Sequence, residues 1–220
     1  MQHLKIIIAL FALIFPTYIH AQLLPPNRPE QDACGAIEIC GNGFFTPYSY
    51  QGIGLSSDMP NTPCGSGEQN SMWLKLVITS SGTLVFNITP QVVSDDYDFA
   101  VINATNKNCN NLSASDVVRC NFNQNQQITN NGIVGLSTTT NTLYVQTGTV
   151  GSNYVAAINA VAGQTYLLMI NNFGSMGNPS SGFTINFAGS TAVFNDQIKP
   201  KFQSIVSGCT ASTSGPIKLS

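Results

Sequence analysis

Met72-Trp73-Leu74-Lys75-Leu76-Val77-Ile78, then Ser80-Ser81-Gly82, then Leu84-Val85-Phe86-Asn87-Ile88-Thr89-Pro90, is the stretch that decides the fold. Met72, Leu74, Leu76 and Ile78 alternate with Trp73, Lys75 and Val77, the period of a strand whose side chains point to opposite faces. Ser80-Ser81-Gly82 turns the chain. Leu84, Phe86 and Ile88 then alternate with Thr83, Asn87 and Thr89 until Pro90 ends the run.

The same texture extends outward in both directions. Short β-type runs recur at 99–102, 117–122, 143–146, 154–158, 165–170, 183–187 and 192–194, with Gly, Asn, Ser and Thr between them. No window carries a sustained helical period with start and stop signals. Many short strands over some 160 residues predict one all-β domain, an antiparallel, jelly-roll-like β-sandwich spanning 33–196. The aromatic stretch Phe44, Phe45, Tyr48 and Tyr50 reads as an edge strand or core loop, and 121–131 as an exposed Asn-rich loop. Trp73, alone in its kind, reads as core before it reads as a sugar-stacking platform.

The ends have a different character. Lys5, the apolar run 6–15 and His20-Ala21-Gln22 are the parts of a secretory signal over 1–21, and the run is too short to span a membrane. A Pro-rich linker, 22–32, follows. Export agrees with six cysteines, Cys34, Cys40, Cys64, Cys109, Cys120 and Cys209, whose spacing forms no paired zinc knuckles and which read as disulfide partners in an oxidising compartment. Six cysteines allow 15 connectivities. Proximity favours Cys109 with Cys120, then Cys40 with Cys64.

Cleavage of the signal would remove both histidines, His3 and His20, and with them any histidine general base, Ser-His-Asp or Cys-His arrangement, or His-ligated zinc. Only 8% of residues are charged, against roughly 25% in an ordinary domain. Between 33 and 196 the cations are Lys75, Lys107 and Arg119, against eight carboxylates, so neither nucleic acid nor an anionic membrane surface suits the mature chain, and no later stretch is long and apolar enough to insert into a membrane.

Three of those carboxylates, Asp95, Asp96 and Asp98, crowd the start of the run 99–102. Alternation puts Asp96 and Asp98 on one face, which we expect at the solvent-facing start of the strand. Two readings stand side by side there. Paired carboxylates can begin the six-to-eight-oxygen shell of calcium, or the Asp side chains can cap backbone amides in a solvated turn. A glycosidase needs carboxylates opposed across a cleft, which neighbours on one strand do not supply. Asn87-Ile-Thr, Asn103-Ala-Thr and Asn111-Leu-Ser match the N-glycosylation pattern, as an Asn- and Thr-rich chain does by chance.

The motifs Asp32-Ala-Cys-Gly-Ala-Ile37, Glu68-Gln-Asn-Ser-Met-Trp73, Asp95-Asp-Tyr-Asp-Phe-Ala-Val101, Ala162-Gly-Gln-Thr-Tyr-Leu-Leu-Met-Ile-Asn-Asn-Phe173 and Gly182-Phe-Thr-Ile-Asn-Phe-Ala-Gly189, in that order, resemble the N-terminal module of large gliding-motility-associated surface adhesins of Bacteroidetes. That module is itself similar to the jelly-roll domains found beside secreted peptidases. The resemblance implies a non-enzymatic, secreted or cell-surface module for adhesion or interaction with an extracellular glycan or protein. The alternative is a carbohydrate-binding accessory module of a secreted hydrolase. By comparison with related jelly rolls it adds Glu68 to Asp96 and Asp98 as a third calcium ligand. It also reads 197–220 as a linker and the start of an Ig- or PKD-like module carrying Cys209, so that the chain is either a piece of a longer protein or a short relative. In that case the sandwich keeps five cysteines; alternatively Cys209 pairs with Cys34 and ties the two ends together.

Overall fold

The structure is a computed structural model and describes residues 28–123, 130–149, 151–173 and 181–194. The signal segment, the linker up to 27, residues 197–220 and Cys209 lie outside the described residues.

Two sheets face each other. The first runs in the order β1 (Ile37–Glu38), β3 (Met72–Ser80), β12 (Thr165–Asn172), β6 (Tyr97–Asn103), β7 (Val117–Asn121), β9 (Tyr144–Val145), with β14 (Val193–Phe194) also on β3. The second runs β10 (Tyr154–Ala156), β8 (Val134–Ser137), β5 (Phe86–Pro90), β13 (Ser181–Asn186), β2 (Gly43–Tyr48). A short pair, β4 (Gly82–Leu84) with β11 (Ile158–Ala160), completes the set. The expected sandwich is therefore present, with one refinement. Its central pairs are antiparallel, but β1 on β3, β7 on β9 and β10 on β8 are parallel.

Between the sheets lies the core that the alternation predicts. Met72, Leu74, Leu76 and Ile78 point into it from β3, and Phe86 and Ile88 from β5. Phe86 of one sheet meets Phe99 of the other edge-on at 5.1 Å between ring centres, and Phe187 joins them at 5.8 Å. Such edge contacts add about 0.5–1.5 kcal/mol each beyond the area they bury.

The first sheet is buried on its other face as well. Trp73, Ala100, Ile102, Leu167 and Met169 point away from the sandwich into a second core, capped by Ala33, Met59, Cys64 and Phe122 from irregular segments. Trp73 is fully buried there, in core as expected. Two disulfides hold this outer layer down: Cys34–Cys109, and Cys64–Cys120, which fastens the 49–71 segment to β7. The expected pairs Cys109–Cys120, Cys40–Cys64 and Cys34–Cys209 are therefore wrong. β7 aims Cys120 at the outer layer, where Cys64 arrives from a distant segment, and sequence proximity does not see that. Cys40 is also disulfide-bonded.

Candidate functional site

The acidic cluster sits at the start of β6 beside the end of β12, where Asn171 lies opposite Asp98 and Asn172 opposite Tyr97. The expectation that Asp96 and Asp98 share a solvent-facing start is corrected by the outer layer. Asp98 is only 6% exposed and Asp95, on the opposite face, 5%. Asp96 is half-buried, and its Oδ1 has no hydrogen-bond partner among the described residues. Burial without a partner penalises the ionised form and pushes its carboxyl from 3.8 up to about 6.

Glu68 lies in the outer layer, one strand further away. Asn171 donates to the Gly67 carbonyl at 3.1 Å and accepts from the Gln69 amide at 3.2 Å, so it stands between the Glu68 segment and Asp98. Among the described residues no three His, Cys, Asp or Glu side chains gather as a metal-holding group. The oxygens of Glu68 have internal partners. Oε1 accepts the backbone amides of Asp58 at 2.9 Å and Met59 at 2.5 Å, and Oε2 accepts the Ser71 hydroxyl at 3.1 Å. Burial outweighs these bonds and raises the carboxyl from 4.5 to about 7.

The neighbouring acids work the same way, as caps on backbone. Asp58 accepts the Ala33 amide at 2.8 Å and the Ser56 hydroxyl at 2.8 Å. Asp32 accepts the amides of Leu55 and Ser56 at 3.0 and 3.2 Å. Asp116 accepts the Ser113 amide and hydroxyl and pairs with Lys107 at 3.0 Å, which holds its carboxyl below the usual range. Irregular segments present many amides that no ladder satisfies, and a short carboxylate is the local remedy. The same need explains 121–131: Asn121 and Asn123 are buried rather than exposed, holding the carbonyls of Ser152 and Gly151, while 124–129 lie outside the described residues.

Sequence reasoning passed over the free face of the second sheet. In β5 and β13 the buried Phe86, Ile88, Phe183 and Ile185 alternate with exposed Asn87, Thr89, Thr184 and Asn186. The register sets Asn186 beside Asn87, Asn87 beside Gly135 and Gly135 beside Tyr154, one continuous row across four strands. Thr184 lies beside Thr89 on one side and half-buried Phe45 on the other. None of the residues of β2, β5, β8, β10 or β13 is Asp, Glu, Lys, Arg or His. At the Asn87–Tyr154 end the surface dips into an open hollow of about 340 Å³, lined by Phe86, Leu136, Ser137 and Gly189 as well as by Asn87 and Tyr154. The signal was present in the chain, as Asn87 and Thr89 alternating with core residues, but a polar alternation looks the same on a binding face and on a solvated one.

No helix among the described residues is long and apolar enough to cross a membrane. Compared with known proteins, the chain matches no family model, no curated protein and no solved structure.

Proposed function

We propose that this chain is a non-enzymatic, exported β-sandwich module for adhesion or extracellular interaction, and that it meets its partner through the free face of the second sheet. The observation that carries the proposal is the chemistry of that face: five strands without one Asp, Glu, Lys, Arg or His, presenting Asn, Thr and Tyr side chains on the outer side of a packed β-sandwich. Of the carboxylates, Glu68, Asp58 and Asp32 are engaged as backbone caps and Asp116 as a cap and an ion pair, while Asp96 keeps one oxygen without a hydrogen bond among the described residues. Disulfides suit an oxidising, extracellular setting. The resemblance to the N-terminal modules of large Bacteroidetes surface proteins supports the same assignment.

The test is to expose the protein beginning at residue 22 to an array of glycans and extracellular-matrix proteins, and to analyse the bound probes for chemical change. The proposal expects saturable binding to a subset of probes, each recovered intact. Turnover of a bound probe, or binding to none, would overturn it.

A further inference from the structure

Resting on that assignment, we infer that the partner is a neutral polysaccharide lying across the strands of the second sheet, along the row Tyr154–Gly135–Asn87–Asn186. Three features of this row point to that ligand and not to a charged one.

The first is polarity without charge. A side-chain amide offers donors and an acceptor together, the pattern that a sugar hydroxyl pair requires. Asn87 and Asn186 stand side by side with Thr89 and Thr184 one step along the strands. A sulfated or uronic-acid polymer needs cations instead. The described residues hold four cations, none on the five strands of this sheet: Arg28 is exposed ahead of the first short helix, Lys75 pairs with Glu38 at 3.2 Å and Lys107 with Asp116. Arg119 donates to the carbonyls of Val118, Ala156 and Ala157 at 2.6–2.8 Å.

The second is an aromatic wall held in place. Tyr154 is half-buried, and its hydroxyl accepts a bond from Asn130 Nδ2 at 3.1 Å, so the ring is oriented before any ligand arrives. Between Tyr154 and Asn87 the row contains only Gly135, so no side chain fills the gap. Glycine is required there for another reason: a Cβ on residue 135 would stand 1.9 Å from the Phe86 carbonyl oxygen. Beside this gap, toward Phe86 and Leu136, lies the hollow, lined by both Tyr154 and Asn87 though not by Gly135. Aromatic faces beside a few placed polar groups are the usual furniture of small-ligand sites.

The third is length. Four adjacent strands span three inter-strand steps, about 14 Å from Tyr154 to Asn186. That is the reach of a short oligosaccharide segment, and beyond Asn186 the row continues onto exposed Gly43 of β2.

The experiment is affinity electrophoresis of the protein beginning at residue 22 in gels containing dextran, glucomannan or xyloglucan, with polygalacturonate and chondroitin sulfate as anionic counterparts. We expect at least one neutral polymer to retard the native protein and the anionic ones to leave it unretarded. The double substitution Asn87→Ala with Asn186→Ala should weaken that retardation at least tenfold, and Thr184→Arg should abolish it. All three positions are exposed, and a thermal melt of each variant checks that it folds before it is run in the gels. Retardation by no neutral polymer, equal retardation of the variants, or preference for the anionic gels would overturn the inference. If the array finds a protein partner that Thr184→Arg blocks while every neutral gel is silent, the glycan inference falls and the interaction module stands. Silence in both assays sinks the two together.

Discussion

Acidification should stabilise this protein. Glu68 and Asp96 are half-buried carboxyls whose native affinity for protons exceeds that of the unfolded chain, at about 7 against 4.5 and about 6 against 3.8. For a raised carboxyl the sign is fixed: its contribution to folding is complete below the unfolded value and is lost as pH climbs through the folded one. The window therefore runs from about pH 4 to about pH 7. At about 1.4 kcal/mol per pH unit, Glu68 unscreened would forfeit about 3 kcal/mol across it. Water reaching a half-buried side chain reduces this to about 2 kcal/mol, and Asp96, shifted almost as far, adds about 2 kcal/mol after the same discount. Asp116, held low by Ser113 and Lys107, works in the opposite direction and withdraws its support only as pH falls through the acid range. Stability should thus peak near pH 4 and fall by about 4 kcal/mol toward pH 8. Guanidinium unfolding with the disulfides intact, at half-unit pH steps, measures it. Glu68→Gln keeps an acceptor for the amides of Asp58 and Met59 but removes the charge, so combined with Asp96→Asn it should flatten the profile. A wild-type profile that is level or rises between pH 5 and pH 8 would refute the reasoning, as would a pH slope in the double variant equal to that of the wild type.

Four further outcomes follow from the same structure. Replacing Cys64 and Cys120 together by alanine should cost about 4 kcal/mol, because the bridge closes a loop with a sequence separation of 56 residues; denaturant midpoints of the oxidised parent and the variant measure it. Trp73→Phe should be nearly neutral, within about 1 kcal/mol, since it removes a buried indole N–H that has no hydrogen-bond partner among the described residues, while Trp73→Ala opens the second core and costs about 3–5 kcal/mol. Glu68→Ala should cost about 2–4 kcal/mol by stranding two amides and a hydroxyl, well beyond the loss in Glu68→Gln, as paired thermal melts will register. Melting with calcium and with a chelator tests the ion directly: with Glu68 engaged by backbone, the two curves should coincide, and a separation of several degrees would restore Glu68, Asp96 and Asp98 as its ligands.

How much of this was legible in the chain depends on where periodicity operates. Alternation located β3 and β5, and short β-type runs between turn residues located β6, β12 and β13. β8 escaped because Gly135 interrupts its short apolar run, and the Phe44–Tyr48 segment, ambiguous between edge strand and loop with Pro47 inside it, is an edge strand. The outer layer was invisible. Met59, Cys64 and Phe122 reach the second core from segments with no period, and nothing local announces that a sheet face is covered twice. That one omission misplaced Asp98 in solvent and misdirected the disulfide pairing. It also made the acidic cluster look more like a site than its burial allows. The uncharged row was missed for the reverse reason. Its residues are unremarkable singly, and only the register of four strands brings Tyr154 and Asn186 into line.

The most direct measurement compares two variants on the same glycan and matrix-protein array: Thr184→Arg on the free sheet face, and Asp96→Asn in the acidic cluster. The account predicts that Thr184→Arg loses the binding of the parent while Asp96→Asn keeps it in full. Binding that survives Thr184→Arg and disappears with Asp96→Asn would contradict it and return function to the carboxylates.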